Sequence, residues 1–144
     1  MLQEAAARGR MLGDRDIVWK SEPDLWVSGD PDQLTRALLN LVGNAVAHTA
    51  PGGGVALEAT GSDLWVEISV SDDGPGIRPD DLSRVFDRFY RASGPRPGTS
   101  GGSGLGLAIT KRLVQMHAGS ITASNRPEGG AMFTIRLPRI PPAE

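Results

Sequence analysis

In the stretch Leu64-Trp65-Val66-Glu67-Ile68-Ser69-Val70-Ser71, an aliphatic residue recurs at every second position, and the run continues unbroken into Asp72-Asp73-Gly74-Pro75-Gly76-Ile77. Such period-two alternation marks a strand with one buried face. Side chains two apart share a face, so Leu64, Val66, Ile68 and Val70 point one way and Asp72 continues their parity. Any fold of this chain must therefore aim an acid at the apolar side of a sheet. A carboxylate placed there needs a partner, and when ionised it accepts hydrogen bonds but donates none.

The surrounding segments supply the rest of a layered fold. Residues 55–59 read as the other arm of a hairpin, with Gly61-Ser62-Asp63 as its loop. Two short strands are expected at Ile17-Val18-Trp19 and Leu25-Trp26-Val27, flanking Pro23. Asp30 looks like a helix N-cap, with Pro31 at the first helical position and Gln33 completing a capping box. That helix should run to about Thr49, where Pro51-Gly52-Gly53-Gly54 stops it. Its apolar face is Leu34, Ala37, Leu38, Leu41 and Ala45, widened by Val42 and Val46; Asn40 and Asn44, four apart, share a stripe at its edge.

Residues 79–90 read as one or two short helical turns with Leu82, Val85, Phe86 and Phe89 inward. The stretch 91–103 is glycine-, proline- and serine-rich and reads as a loop. A second helix is expected from about Gly104, with Leu105, Ala108, Ile109, Leu113 and Met116 on one face and Gly119 capping its end. Closing strands at 120–124 and 132–137 flank a turn through Pro127 and Gly129-Gly130. The three tryptophans fall on strand candidates and read as packing residues. This order of elements predicts an α+β two-layer sandwich, antiparallel strand pairs with helices on one side.

Composition narrows the function. The 144 residues suit one domain, and a formal charge of −2 offers no nucleic-acid footprint. Without cysteine there is neither a disulfide framework nor a thiolate site. No apolar stretch approaches the ~20 residues of a membrane span, so direct membrane insertion is not expected. Residues 1–16 read as the end of a preceding helix and linker, 17–138 as the domain and 139–144 as a tail.

Two glycine-rich runs carry the chemistry. An acceptor at Asp72 suits adenine, whose exocyclic amine is a donor where guanine presents a carbonyl oxygen. Mismatching such a buried acceptor costs roughly 1–3 kcal/mol, enough to select a base. Gly74 and Gly76 would let backbone pass close to a flat ring. The second run, Gly101-Gly102-Ser103-Gly104-Leu105-Gly106-Leu107, leads into a helix whose free N–H groups attract phosphate. It is neither a Rossmann fingerprint, with Leu at 107, nor a Walker loop, with no Gly-Lys-Ser/Thr following. Asn44 offers a neutral oxygen of the kind Mg²⁺ accepts alongside phosphates and water.

Taken together, these runs resemble the catalytic ATP-binding domain of bacterial sensor histidine kinases, of the GHKL superfamily that includes gyrase-type ATPases, Hsp90 and MutL. Leu39-Asn40-Leu41-Val42-Gly43-Asn44-Ala45 is similar to the family's N box and Asp72-Asp73-Gly74-Pro75-Gly76-Ile77 to its G1 box. Val85-Phe86-Asp87-Arg88-Phe89-Tyr90-Arg91 resembles the F box, and Gly102-Ser103-Gly104-Leu105-Gly106-Leu107 the G2 box. The resemblance implies a Bergerat-type fold, a mixed, mostly antiparallel sheet covered on one face by about three helices, with a lid at 87–103. It implies that Asn44 ligates Mg²⁺, that Asp72 binds the adenine amine and that Asn40 assists at the phosphates. It further places His48 beside the base, Tyr90 and Arg91 near the phosphates, and the 102–107 segment around them.

The family resemblance also implies partners: a dimerisation domain carrying the phosphoacceptor histidine, absent here, and a downstream response regulator. It implies a cytoplasmic domain of a membrane-anchored sensor. Two positions depart from the pattern, Ala47 where many members carry Lys or Arg, and Ala131 where Thr is frequent. Superfamily members that hydrolyse ATP or phosphorylate serine carry Glu where this chain has Asn40, a poor general base. Transfer to a histidine is thereby favoured over an anti-sigma-type serine kinase. A degenerate nucleotide-gated module without transfer activity is the other alternative.

Overall fold

The alternation that ends at Asp72 forms β3 (Trp65–Asp72), with Val66, Ile68, Val70 and Asp72 all buried. The computed structural model describes residues 1–88 and 106–142. β3 lies at the centre of a five-stranded sheet with β1 (Asp16–Ser21), β2 (Gly54–Gly61), β4 (Ser120–Asn125) and β5 (Ala131–Pro138), in the order β1-β2-β3-β5-β4. Only the β1–β2 pair is parallel, so the sheet is mixed and mostly antiparallel. Three helices, α1 (Leu2–Leu12), α2 (Pro31–Ala47) and α3 (Gly106–Met116), complete the α+β two-layer fold that the element order predicts. The core lies between the layers, where Leu38, Leu41 and Val42 of α2 join Val55, Leu57 and Val70 of the sheet.

α2 starts as its sequence dictates. Asp30 Oδ1 accepts from the N–H groups of Asp32 at 2.9 Å and Gln33 at 3.3 Å, satisfying two donors that a helix start leaves open. The reciprocal half of the expected capping box is replaced. The Asp30 N–H donates to His117 Nε2 at 3.1 Å, while His117 Nδ1 lies 2.7 Å from the Leu113 carbonyl, so one imidazole ties the start of α2 to the end of α3. At its other end α2 stops at Ala47, two residues before the predicted limit. Arg15 gathers the open carbonyls there, donating to the Val46 and Thr49 oxygens at 3.0 and 2.8 Å. Residues 1–16, read as the end of a preceding helix and linker, are thus packed onto the fold, and Ala5 and Ala6 of α1 are fully buried.

Four local expectations are corrected. Leu25-Trp26-Val27 is not a strand: Pro23 interrupts, Asp24 turns the chain at φ 59°, and the Trp26 carbonyl accepts from Ile140 N–H instead. Leu64 falls outside β3 in the hairpin loop and is largely exposed. Met116 is also exposed, because the face of α3 turned to the interior runs through Thr110, Leu113 and Val114. Thr110 is tolerated there because its hydroxyl reaches the Gly106 carbonyl at 2.9 Å and, more distantly, the Ala37 carbonyl at 3.5 Å. The left-handed residue ending α3 is Ala118, at φ 61°, and not Gly119.

Residues 79–88 form successive turns and no helix, with Val85 buried and Leu82 and Phe86 partly so. Phe86 meets Phe133 edge-on, ring centres 6.0 Å apart, and the Lys111 ammonium sits 5.7 Å from its ring centre. Trp65 packs under the Arg136 guanidinium at 4.3 Å, whereas Trp19 and Trp26 remain substantially exposed. Phe89, the first residues of the expected second helix and nearly all of the 87–103 lid lie outside the described residues.

Candidate functional site

Asp72 ends the central strand at 3 % exposure, so the puzzle posed by its parity is real. Half of the carboxylate is answered by backbone: Oδ1 accepts from Gly74 N–H at 2.9 Å and from Ala131 N–H at 3.3 Å. Among the described residues Oδ2 has no donor. Burial pushes this carboxyl above its ordinary value; the two backbone bonds and nearby His48 pull the other way without prevailing, and Asp73 adds to the rise. A buried acceptor left open is costly unless something fills it, and a ligand amine is a matching filler.

The loop that follows is folded tightly against α2. A side chain at Gly74 would place its first carbon 2.3 Å from the His48 carbonyl, so only glycine fits. Gly76 adopts φ +82° with the Asn125 amide packed beside it. These glycines are therefore demanded by the protein's own backbone, a reason that precedes any need to approach a flat base. The packing brings His48, which is half-buried at the C-cap of α2, next to Asp72.

Asn40 and Asn44 lie two turns and one turn before His48 on α2, both partly buried. Asn40 Nδ2 reaches the carbonyl of Gly106 at 3.4 Å, linking α2 to the first described turn of α3. The Asn44 side-chain amide makes no hydrogen bond among the described residues. The structure thus sets the loop of Asp72, Gly74, Gly76 and Ile77 against His48 at one end of α2, and Gly106, followed by Leu107, against Asn40 further back, with Asn44 between them on the helix. The other predicted site residues, Tyr90, Arg91, Gly102, Ser103, Gly104 and Leu105, lie outside the described residues. No group of three or more His, Cys, Asp or Glu side chains is poised for a metal among the described residues.

Sequence reasoning found the turn between β4 and β5 but not its contacts with the Asp72–Ile77 loop. Ala131 supplies one of the two amides on Asp72, and Arg126 Nη1 donates to the Asp72 carbonyl at 3.1 Å. Gly130, at φ +94°, lies so close that a side chain there would start 1.8 Å from that carbonyl. Asn125 Oδ1 accepts from Ile77 N–H and its Nδ2 donates to Ile77 O, both at 2.7 Å. The pair Gly129-Gly130 was the visible signal, but it reads equally as an ordinary turn.

Residues 29–141 match the family model described as histidine kinase-, DNA gyrase B- and HSP90-like ATPase, HATPase_c. The chain belongs to this family. Among relatives of this HATPase_c chain, the signal transduction histidine-protein kinase AfsQ2 of Streptomyces coelicolor is 51 % identical over 112 residues, 78 % of this chain and 20 % of AfsQ2. The chain thus spans about a fifth of that relative's length. Among solved structures, the mycobacterial sensor histidine kinase MprB superposes with a TM-score of 0.88 at 33 % identity, covering 98 % of this chain and 95 % of that one. Full-length ShkA in complex with AMPPNP gives 0.79 at 33 % identity, covering 99 % of this chain and 29 % of ShkA. The HATPase_c fold expected from the four sequence boxes is therefore the fold found. No helix among the described residues is long and apolar enough to cross a membrane.

Proposed function

We propose that this chain is the ATP-binding catalytic domain of a sensor histidine kinase, with residues 17–138 as the nucleotide-binding unit. The observation that carries the reading is Asp72, a buried carboxylate with one oxygen satisfied by backbone and the other open among the described residues. Oδ2 accepts the adenine exocyclic amine, and His48 lies beside the base. Asn40 supports the phosphates near the start of α3, whose N-terminal N–H groups favour anionic charge. Tyr90, Arg91 and the 102–107 segment complete the phosphate side, and 87–103 forms the lid. Mg²⁺, held by Asn44, phosphate oxygens and water, would offset charge on the transferring group.

In the reaction the bond between the γ-phosphorus and its bridging oxygen breaks, and a bond to an imidazole nitrogen of a separate dimerisation domain forms. ADP leaves, and the phosphoryl group later passes to an aspartate of a response regulator. This chemistry asks the protein mainly for positioning and charge stabilisation. Asn40 in place of a carboxylate leaves no general base there to activate water, which favours transfer over hydrolysis. The domain would act on the cytoplasmic side of a membrane-anchored sensor. The presence of AMPPNP in the ShkA complex, a chain with the same fold at 33 % identity, supports the assignment of an adenine nucleotide.

Two measurements test the proposal. Calorimetric titration with Mg-bound, non-hydrolysable ATP and GTP analogues should show binding selective for adenine. Mixing with the phosphoacceptor-helix domain of the parent kinase and Mg-ATP should yield phosphohistidine. Absence of nucleotide binding by the folded chain would overturn the reading, and binding without transfer would reduce it to a nucleotide-gated module.

A further inference from the structure

The loop that carries the base-recognising acid is held at both ends by a different hairpin, 48 or more residues away in sequence. At its first residue, the Asp72 carboxylate and carbonyl are gripped by Ala131 N–H and Arg126 Nη1. At its last, both backbone polar groups of Ile77 are taken by a single side chain, Asn125, through reciprocal bonds of 2.7 Å. An amide is suited to this because it presents one acceptor and one donor side by side, as a neighbouring strand would. Between the anchors lie Asp73, Gly74, Pro75 and Gly76, two of the four being glycine.

Glycine-rich segments lose the most conformational freedom on ordering. If that ordering happened only when a ligand arrived, it would weaken binding; a segment ordered beforehand binds more tightly for the same contacts. Asn125 is exposed and lies at the end of an edge strand, a place where an elaborate double hydrogen bond does little for the core. Among the described residues its side-chain amide bonds only to the backbone of Ile77.

We propose that Asn125 is a positioning residue for base recognition. It fixes Ile77 and, with Arg126 and Ala131 at the other end, sets the Asp72–Ile77 loop in its binding shape before nucleotide enters. It acts through the loop, so it governs the base half of the site and not the phosphate half. This inference rests on the proposed ATP site.

The test compares wild-type chain with Asn125→Ala and Asn125→Ser, the latter keeping a small acceptor for Ile77 N–H but no amide donor. Affinities are measured for Mg-bound non-hydrolysable ATP, for the matching inosine nucleotide, whose 6-oxo group replaces the amine, and for tripolyphosphate. Loss of two ordinary hydrogen bonds predicts about a tenfold weaker affinity for the ATP analogue in Asn125→Ala. Tripolyphosphate binding should stay unchanged, the ATP-to-inosine preference should shrink, and Asn125→Ser should fall between. In the parent kinase the same change should raise KM for ATP and leave kcat intact. Equal weakening of ATP analogue and tripolyphosphate, or an unaltered ATP affinity in a folded variant, would overturn the assignment. A wild-type chain that binds tripolyphosphate but does not distinguish ATP from the inosine nucleotide would instead remove the base-site reading itself.

Discussion

Replacing Asp72 with Asn keeps the shape of the β3 terminus and alters the chemistry at one atom. In the native chain Oδ1 is occupied by Gly74 and Ala131 N–H groups at 2.9 and 3.3 Å. The amide oxygen of Asn inherits both, which turns Nδ2 toward the open side where Oδ2 stood. A donor would then confront the donor amine of adenine. Hydrogen bonds to charged groups contribute about 1.5–3 kcal/mol, so affinity for the ATP analogue should drop roughly 10- to 150-fold. A 6-oxo nucleotide, by contrast, should bind the variant better than it binds the native chain.

The same substitution should act on stability with the opposite sign. Burial raises the Asp72 carboxyl above its ordinary value, so the folded state holds the proton more tightly than the unfolded chain does. A group raised in this way favours folding fully below the unfolded value and loses that contribution as pH rises through the folded one. At neutral pH the ligand-free Asp72→Asn domain should therefore melt above wild type, with the gap narrowing as pH falls through the raised folded value and gone below the ordinary carboxylate range. Calorimetry with the two nucleotides and thermal melts across a pH series read both effects. A variant that binds the ATP analogue as well as wild type does, or that melts lower at neutral pH, would refute the reasoning.

Gly129 and Gly130 both adopt positive φ, but only Gly130 is crowded, against the Asp72 carbonyl. Gly129→Ala should lose about 1–2 kcal/mol in urea titration and Gly130→Ala about 3 kcal/mol or more; equal losses would argue against the close approach. Asp30→Ala removes the acceptor for two helix-start N–H groups and should cost about 1 kcal/mol in the same titration, with nucleotide affinity unaffected. Leu38→Ala, at a fully buried position, should cost about 2–5 kcal/mol, and a smaller loss would mean that α2 is packed more loosely than described.

What was legible in the sequence was written in short-range pattern. The parity of Val66, Ile68 and Val70 predicted the burial of Asp72, and Asp30-Pro31 predicted the start of α2, because neighbours in sequence alone decide both. Long-range partners were not legible. Arg15 caps α2 across 31–34 residues, and His117 replaces the second half of a capping box from 87 residues away. Thr110 defied hydropathy because its hydroxyl is satisfied by its own helix, which frees a polar residue to be fully buried while Met116 is not. The glycines of the Asp72 loop stood out in the sequence, yet their packing partners, His48 O and Asn125, lie on elements that no local pattern connects to them.

The central place of β3 has a consequence for how the site comes apart. β3 is hydrogen-bonded along both edges, to β2 and to β5, whereas α3 docks mainly on α2 through one helical face. Backbone amides of Val66, Ile68 and Val70 should be the last to exchange with solvent deuterium, and those of α3 should open earlier. In the proposed site Asp72 rides the end of that slow strand, while the N–H groups assigned to phosphate belong to the faster helix. If the proposed site is right, a domain caught part-way through unfolding would still hold the acid assigned to the base after its grip on phosphate has gone.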